Sequence, residues 1–350
     1  MKHDVDVCIL GAGIAGSWLA YCLLEAGFKV RLLHDPKAPN ASTMAAGLMQ
    51  RISGKFLTYN SFYNHLFDDA VKAYNDLEQR FNISLIRSTS VYKSLTPQLT
   101  SIWKKKRKRD RYNSLLSDIT CLPAHLSHPS STDWINISGG YVVHPEPFFT
   151  TLHTYLREQG CLQESSIDVT AIQSYETYSC YGTITAKYLI CCLGSNSSRV
   201  PAFKHIPFHF SNGETLYFKS TNQRKKDVVQ DTHWVVPYGH YQGNHYFKCG
   251  ATYDHDDHCI PTQKGYDALS TSIRSLGHDD MTPLMYQRAR RCNLPNHLPL
   301  LGLVTPSLGL FTGFASKGFI AAAALAKQWA EVFPQMPVAL RNVDVAECCC

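Results

Sequence analysis

The sequence predicts an α/β fold built around a buried parallel strand, a glycine turn and a helix. Three observations predict it. An apolar run, a glycine turn and a helical apolar period follow one another at the start of the sequence. Later segments alternate in the manner of strands. A second glycine-rich turn then opens a long apolar helix near residue 317.

The first unit is the most specific. Residues 5–10 read Val-Asp-Val-Cys-Ile-Leu, which suits a strand buried on both faces. Gly11-Ala12-Gly13-Ile14-Ala15-Gly16 follows as a full GxGxxG turn. Ile14, Trp18, Leu19, Cys22 and Leu23 then recur at helical spacing, Gly27 suits the helix C-terminus, and residues 30–33 form the next strand. Gly11 permits the tight turn, Gly13 lets the backbone approach a pyrophosphate, and Gly16 lets the helix pack on the strand. The helix N-terminus offers free N–H groups to the phosphates. The second strand of such a unit ends in an acid that accepts the ribose hydroxyls. Here His34 occupies that place and Asp35 follows, so either residue is the expected ribose contact.

Composition narrows the class. The chain has 350 residues, enough for two intertwined domains, with 44% hydrophobic and 18% charged residues, an ordinary globular balance. A net charge of +6 tolerates an anionic ligand without demanding nucleic acid. The 13 cysteines lack paired zinc spacing and no leader precedes the first strand, which reads as free thiols in a reducing cytoplasm. No metal site is expected. The run Asp254-His255-Asp256-Asp257-His258 follows a strand end and reads as a surface turn. The most apolar segment, 318–330, is too short for a membrane span and contains Lys327 and Gln328. Palmitoylation of Cys348, Cys349 or Cys350 is the one route to peripheral membrane attachment, against a disordered tail over 341–350.

Residues 215–219, 233–237 and 245–252 read as strands, the last two around a turn at 239–244. Residues 187–194 form an apolar strand ending in Gly194, and 195–198 a polar loop. Residues 308–311 form a strand before Gly313-Phe314-Ala315-Ser316-Lys317-Gly318. Residues 104–111, Lys-Lys-Lys-Arg-Lys-Arg-Asp-Arg, read as a solvated face, with an anionic macromolecule such as tRNA as the alternative.

These blocks together resemble the D-amino-acid oxidase and glycine oxidase-like flavoproteins. The small-residue segment 40–48, with Ser42, Ala45, Ala46 and Gly47, resembles the family's loop along the flavin. Gly139-Gly140-Tyr141, Pro145 and the helix after it resemble the family's segment before its third core strand. Val169, in an expected strand over 167–172, resembles the position whose backbone meets the adenine. Arg291, five residues before Asn296 and followed by Pro299 and Gly302, resembles the family's approach to its flavin turn, with Asn in place of Asp.

The resemblance implies a discontinuous Rossmann-like FAD-binding domain over 1–80, 138–205 and 286–340. An antiparallel-sheet substrate domain is inserted over 81–137 and 206–285. It implies FAD held non-covalently by the turn at Gly11–Gly16, by Ser42, Ala45, Ala46, Gly47, Val169 and Gly194, and by Gly313, Ser316, Lys317, Gly318 and Phe319. It implies hydride transfer from an amino acid or secondary amine, with oxygen or a quinone as the acceptor. Arg291 is the expected carboxylate ligand, beside Arg288 and Arg290, and Tyr238 and Tyr253 are candidate substrate contacts. Cys249 and Cys292 read as free thiols. The rival activities are flavin-dependent wobble-uridine modification of tRNA, which the chain's flavin blocks also resemble, and a flavin-binding protein without catalysis, for which His34 and Asn296 argue.

Overall fold

The computed structural model describes residues 3–38, 40–121, 133–221, 227–256, 258, 260–295 and 297–335. Asn296, Asp257 and the tail with its three cysteines lie outside the described residues. The chain begins with β1 (Val5–Leu10), α1 (Ile14–Glu25), β2 (Val30–His34) and a short α2 (Ala41–Met44). The short strands β3 (Leu48–Met49), β4 (Ile52–Ser53) and β5 (Thr58–Tyr59) precede α3 (Ser61–His65) and α4 (Phe67–Phe81). Then come β6 (Ile86–Ser94), α5 (Pro97–Lys106), α6 (Asp110–Asn113), β7 (Trp134–Val143) and α7 (Pro145–Glu158). The middle of the chain forms β8 (Leu162–Glu164), β9 (Ile172–Ser174), β10 (Ser179–Tyr181) and β11 (Ile184–Cys191). It continues through β12 (His209–Ser220), β13 (Val228–Gln230), β14 (Trp234–Tyr241), β15 (Asn244–Gly250), α8 (Gln263–Ser275) and β16 (Thr282–Asn293). The last elements are β17 (Leu300–Leu303), β18 (Leu308–Thr312) and α9 (Gly318–Val332).

The first sheet has the order β17-β18-β11-β1-β2-β8, with β10 and β9 attached beside β11. β1 runs parallel to both β2 and β11, and β11 runs parallel to β18. Strand alternation explains the unbroken apolar sequence of β1. Val7 and Ile9 face a core shared with α1, α4, α7 and α9. Cys8 and Leu10 face the opposite core with Leu189, Leu308 and Phe203. Both faces are covered, as a parallel sheet requires. α9 is buried nearly all round, from Phe319 to Ala326, because it lies within this core and packs on α1 and α4. Among the described residues no helix is long and apolar enough to cross a membrane.

The second sheet has the order β16-β12-β15-β14-β13-β6-β7-β3. It is antiparallel except for the β13–β6 pair. The expected division points at 138 and 286 fall inside β7 and β16, strands that belong wholly to this sheet. β3, from the expected first domain, also joins it.

Two local expectations change. The strand expected over 167–172 is a 3-10 turn at Val169–Ala171, because the Asp168 carboxylate caps it by accepting the Thr170 N–H at 2.9 Å. The turn expected over 239–244 shrinks to Gln242-Gly243. Both residues have positive φ, 48° and 75°, which matches the twist of a two-residue hairpin, so β14 runs on to Tyr241.

Candidate cofactor and substrate site

A cavity of about 620 Å³ lies where the C-terminal ends of the parallel strands meet the second sheet. Its location follows from strand order. β1 connects through α1 to β2 on one side, while its other neighbour, β11, leads on to β18 on the opposite side, so the strand order reverses at β1 and opens a crevice at the C-terminal ends. Each strand end contributes. Gly11, Ala12, Gly13, Ile14 and Ala15 follow β1, His34 ends β2 with Asp35 after it, and Gly194 follows β11. Gly313, Ser316, Lys317, Gly318 and Phe319 follow β18. Ser42, Ala45, Ala46 and Gly47 line it from the segment around α2, and Val169 from the 3-10 turn.

Gly16 is the one residue of the first turn outside the lining. It sits under the turn, where an added Cβ would fall 1.8 Å from the Gly11 carbonyl oxygen. The glycine therefore lets α1 start against β1.

Two helix N-termini open into this cavity. α1 has Gly13 as N-cap and no side-chain cap, with the Ile14 N–H donated to Ser42 Oγ at 3.1 Å. α9 has Lys317 as N-cap and again no side-chain cap. Uncapped first turns present N–H groups and a partial positive charge. Lys317 adds a full charge. Its Nζ donates to Ser53 Oγ at 2.8 Å and to the Gln50 carbonyl at 3.4 Å, and burial pushes its pKa down to about 8. Gln50 Nε2 is buried and has no hydrogen-bond acceptor among the described residues. A buried donor without an acceptor is costly. These groups fit a dinucleotide whose pyrophosphate meets α1 and whose ring system meets α9 and Gln50. Gln50 and Ser53 carried no motif, and only their place beside Lys317 brings them into the site.

The second sheet supplies the opposite wall, with Gly213 and Thr215 on β12, Trp234 on β14, and Arg291 and Cys292 on β16. Arg291 Nη1 donates to the Asn212 carbonyl at 3.3 Å, and its guanidinium lies against Gly213. Burial lowers its pKa. Arg290 also lines the cavity, whereas Arg288 does not. Arg288 binds Glu214 at 2.8 Å and Asp254 at 2.6 Å, and also pairs with Asp256; the Arg288 and Glu214 side chains are each 1% exposed. Arg290 stacks its guanidinium 4.4 Å from the Phe210 ring centroid. Asp254 and Asp256 of the acidic run thus sit at the partly exposed rim of an ion cluster whose buried centre is the Arg288–Glu214 pair.

Neither candidate tyrosine lines the cavity. Tyr238 is packed beneath the α2 segment, where its hydroxyl donates to the carbonyls of Ala45 at 3.2 Å and Ala46 at 2.9 Å. Lys248 reaches the same segment, donating to Thr43 and Ala45 carbonyls at 3.1 and 3.2 Å. Tyr238 therefore ties the cofactor-side segment to the second sheet. Tyr253 stands 66% exposed on the connection after β15. Cys249 is buried in the core of the second sheet, away from the cavity. Burial pushes the Cys292 thiol up to about 11.

The basic run is only partly solvated. Lys106 donates to the carbonyls of Phe56 at 2.6 Å and Leu57 at 2.9 Å, Arg107 pairs with Asp118, and Arg111 lies over Tyr59 and Tyr112. Lys104, Lys105, Lys108 and Arg109 remain exposed.

Comparison with solved structures places this architecture. Iminodiacetate oxidase from Chelativorans sp. BNC1 superposes with a TM-score of 0.77 at 15% identity, covering 96% of this chain and 98% of that one. Glycine oxidase from Geobacillus kaustophilus gives 0.75 at 15% identity, covering 93% of each chain. L-amino acid deaminase from Proteus vulgaris gives 0.72 at 12% identity, covering 97% and 95%. At such identities the likeness is one of fold. No curated protein matches the sequence. The family model described as "DAO: FAD dependent oxidoreductase" matches residues 6–332. With that match over nearly the whole chain, and with the glycine turn, the second uncapped helix and the crevice between two sheets all in place, the chain belongs to the DAO family of FAD-dependent oxidoreductases.

Proposed function

We propose that the protein oxidises the C–N bond of an amino acid or secondary amine to an imine, which water then hydrolyses. The observation that carries this reading is the convergence on one cavity of two uncapped helix N-termini and, from the facing sheet, Arg291. Bound FAD supplies the hydride acceptor for the substrate α-carbon. The chain's residues supply orientation and charge. The turn at Gly11–Gly16 and the N-terminus of α1 receive the pyrophosphate. His34, Asp35 and Val169 meet the adenosine. Ser42, Ala45, Ala46 and Gly47 run along the dinucleotide, with Gly194 on its other side. Gly313, Ser316, Lys317, Gly318 and Phe319 would hold the ring system, where the positive end of α9 and Lys317 would favour an anionic group.

Arg291 binds the substrate carboxylate through its planar fork and so fixes the α-carbon against the ring. Loss of the amine proton to water or solvent-exposed groups completes the oxidation. FAD is held non-covalently in this reading. The cavity-lining thiols of Cys192 and Cys292 are both buried and both pushed up in pKa, which disfavours the thiolate that a covalent link requires.

Purified protein should be yellow, and added FAD should raise the melting temperature of cofactor-free protein. Under anaerobic conditions, glycine, sarcosine, iminodiacetate or a D-amino acid should bleach the flavin absorbance. A flavin that no member of a broad amine panel bleaches would remove the amine-oxidation reading while leaving FAD binding intact.

A further inference from the structure

The family pattern ends the second strand of the dinucleotide unit in an acid, and this chain has His34 there. The residue behind it explains how a histidine serves. His153, on α7, packs its ring 5.2 Å from the His34 ring, tilted by 52°. His153 Nε2 lies 2.9 Å from Ser17 Oγ on α1. Ser17 Oγ in turn donates to the carbonyl of Ala12, at 3.0 Å, inside the glycine turn. With the Ser17 hydroxyl directed at the Ala12 carbonyl, Oγ is left to accept, an arrangement that pairs with the Nε2–H tautomer of His153. Ser17 is fully buried. Burial holds His153 down to about 4, so it is a neutral ring near neutral pH.

Asp35 is the other residue placed for the ribose. Its Oδ1 accepts the Lys37 N–H at 2.9 Å, which ties the carboxylate to its own turn. His34 lines the cavity at the same end as Ile167, Asp168 and Val169, and burial lowers its pKa too. A neutral imidazole carries one ring donor and one ring acceptor, where a carboxylate offers acceptors alone.

We propose that His153 is a positioning residue for the adenosine half of the dinucleotide: through Ser17 it holds the Ala12 carbonyl of the glycine turn, and by ring contact it braces His34 as the ribose ligand. This rests on the reading of the cavity as a dinucleotide site. One side chain from α7 thus supports two of the walls that receive the adenosine diphosphate. The flavin end, formed by α9, Gln50 and Lys317, receives no contact from it.

The test measures ligand binding to cofactor-free protein with FAD, ADP and riboflavin as probes. His153→Phe removes the donor, His153→Gln keeps an N–H on a similar side chain, and Ser17→Ala breaks the link to Ala12. His153→Phe and Ser17→Ala should weaken FAD and ADP by about tenfold, the scale of one or two lost hydrogen bonds. His153→Gln should recover most of that loss, and riboflavin binding should stay unchanged throughout. Wild-type ADP affinity in His153→Phe overturns the proposal. So does a loss for riboflavin as large as that for ADP, which marks general damage to the fold. If His153→Phe does not fold, Ser17→Ala decides, and unchanged ADP affinity there overturns it. Wild-type protein that binds neither FAD nor ADP removes the dinucleotide reading itself, and this proposal with it.

Discussion

The guanidinium of Arg291 rests on the backbone of Gly213, so closely that a methyl group at position 213 would fall 2.1 Å from Nη2. The pair faces across β12 and β16, with Arg291 opposite Ser211 in the ladder and its Nη1 on the Asn212 carbonyl. Gly213→Ala should therefore swing the arginine out of its place. The displaced atoms are the far end of a flexible side chain, so stability should change little. Substrate affinity should fall about tenfold or more, equivalent to about 1.4 kcal/mol. Steady-state kinetics should show this as raised KM with FAD content unchanged. Arg291→Lys should do the same, because an ammonium lacks the bidentate fork.

Arg288 should behave differently. Its side chain and that of Glu214 are buried together, with Asp254 and Asp256 attached to the same guanidinium. Arg288→Met leaves Glu214 as a buried, uncompensated carboxylate, and should destabilise the protein by about 3–5 kcal/mol. Adding Glu214→Leu should recover much of the loss. Urea denaturation of the single and double variants measures both effects.

Lys317 predicts a pH dependence. Its pKa falls from the ordinary 10.5 to about 8 because burial penalises the ammonium. Without cofactor, the unfolded chain binds more protons than the folded one between about pH 8 and 10.5. Stability should rise with pH across that window, and the burial penalty is felt in full below it. Lys317→Met should flatten the rise, read as melting temperature against pH. An anionic ligand facing Lys317 favours the charged form, so FAD affinity of the wild type should fall as pH rises past about 8.

Gly16→Ala tests the first turn. The new Cβ would meet the backbone oxygen of Gly11 at 1.8 Å, and neither α1 nor β1 can retreat from a core packed on both sides. Overpacking of this kind costs about 1–3 kcal/mol. The variant should melt lower and carry less flavin than wild type, measured by calorimetry and by the absorbance ratio of flavin to protein.

The basic run divides at Lys106. Lys106→Met loses two carbonyl contacts that hold the β4–β5 turn, and should cost about 1–2 kcal/mol. Lys104→Ala and Lys105→Ala should stay within about 0.5 kcal/mol, since both are exposed. Thermal denaturation of the three variants separates them.

The sequence by itself determined the local features: the strand, turn and helix around Gly11 and Gly16, the glycine turn before α9, and the paired strands of the second sheet. Each is set by backbone sterics or by a side-chain period of two or 3.6, which neighbours along the chain suffice to express. Where a side chain overrode the local pattern, reading by period went astray, as when the Asp168 cap turned the expected strand at Val169 into a 3-10 turn. Tertiary structure decided which candidates share a site. Arg288 and Arg291 are three residues apart on β16, an odd spacing that sends them to opposite faces of the strand, one into a buried ion pair with Glu214 and the other into the cavity. Tyr238 looked equally available for substrate until the fold placed Ala45 and Ala46 against its hydroxyl. Gln50, Ser17 and His153 carried no motif at all. Their meaning lies in partners distant along the chain, 136 residues away for Ser17 and His153, and such contacts exist only once the sheets and helices have packed.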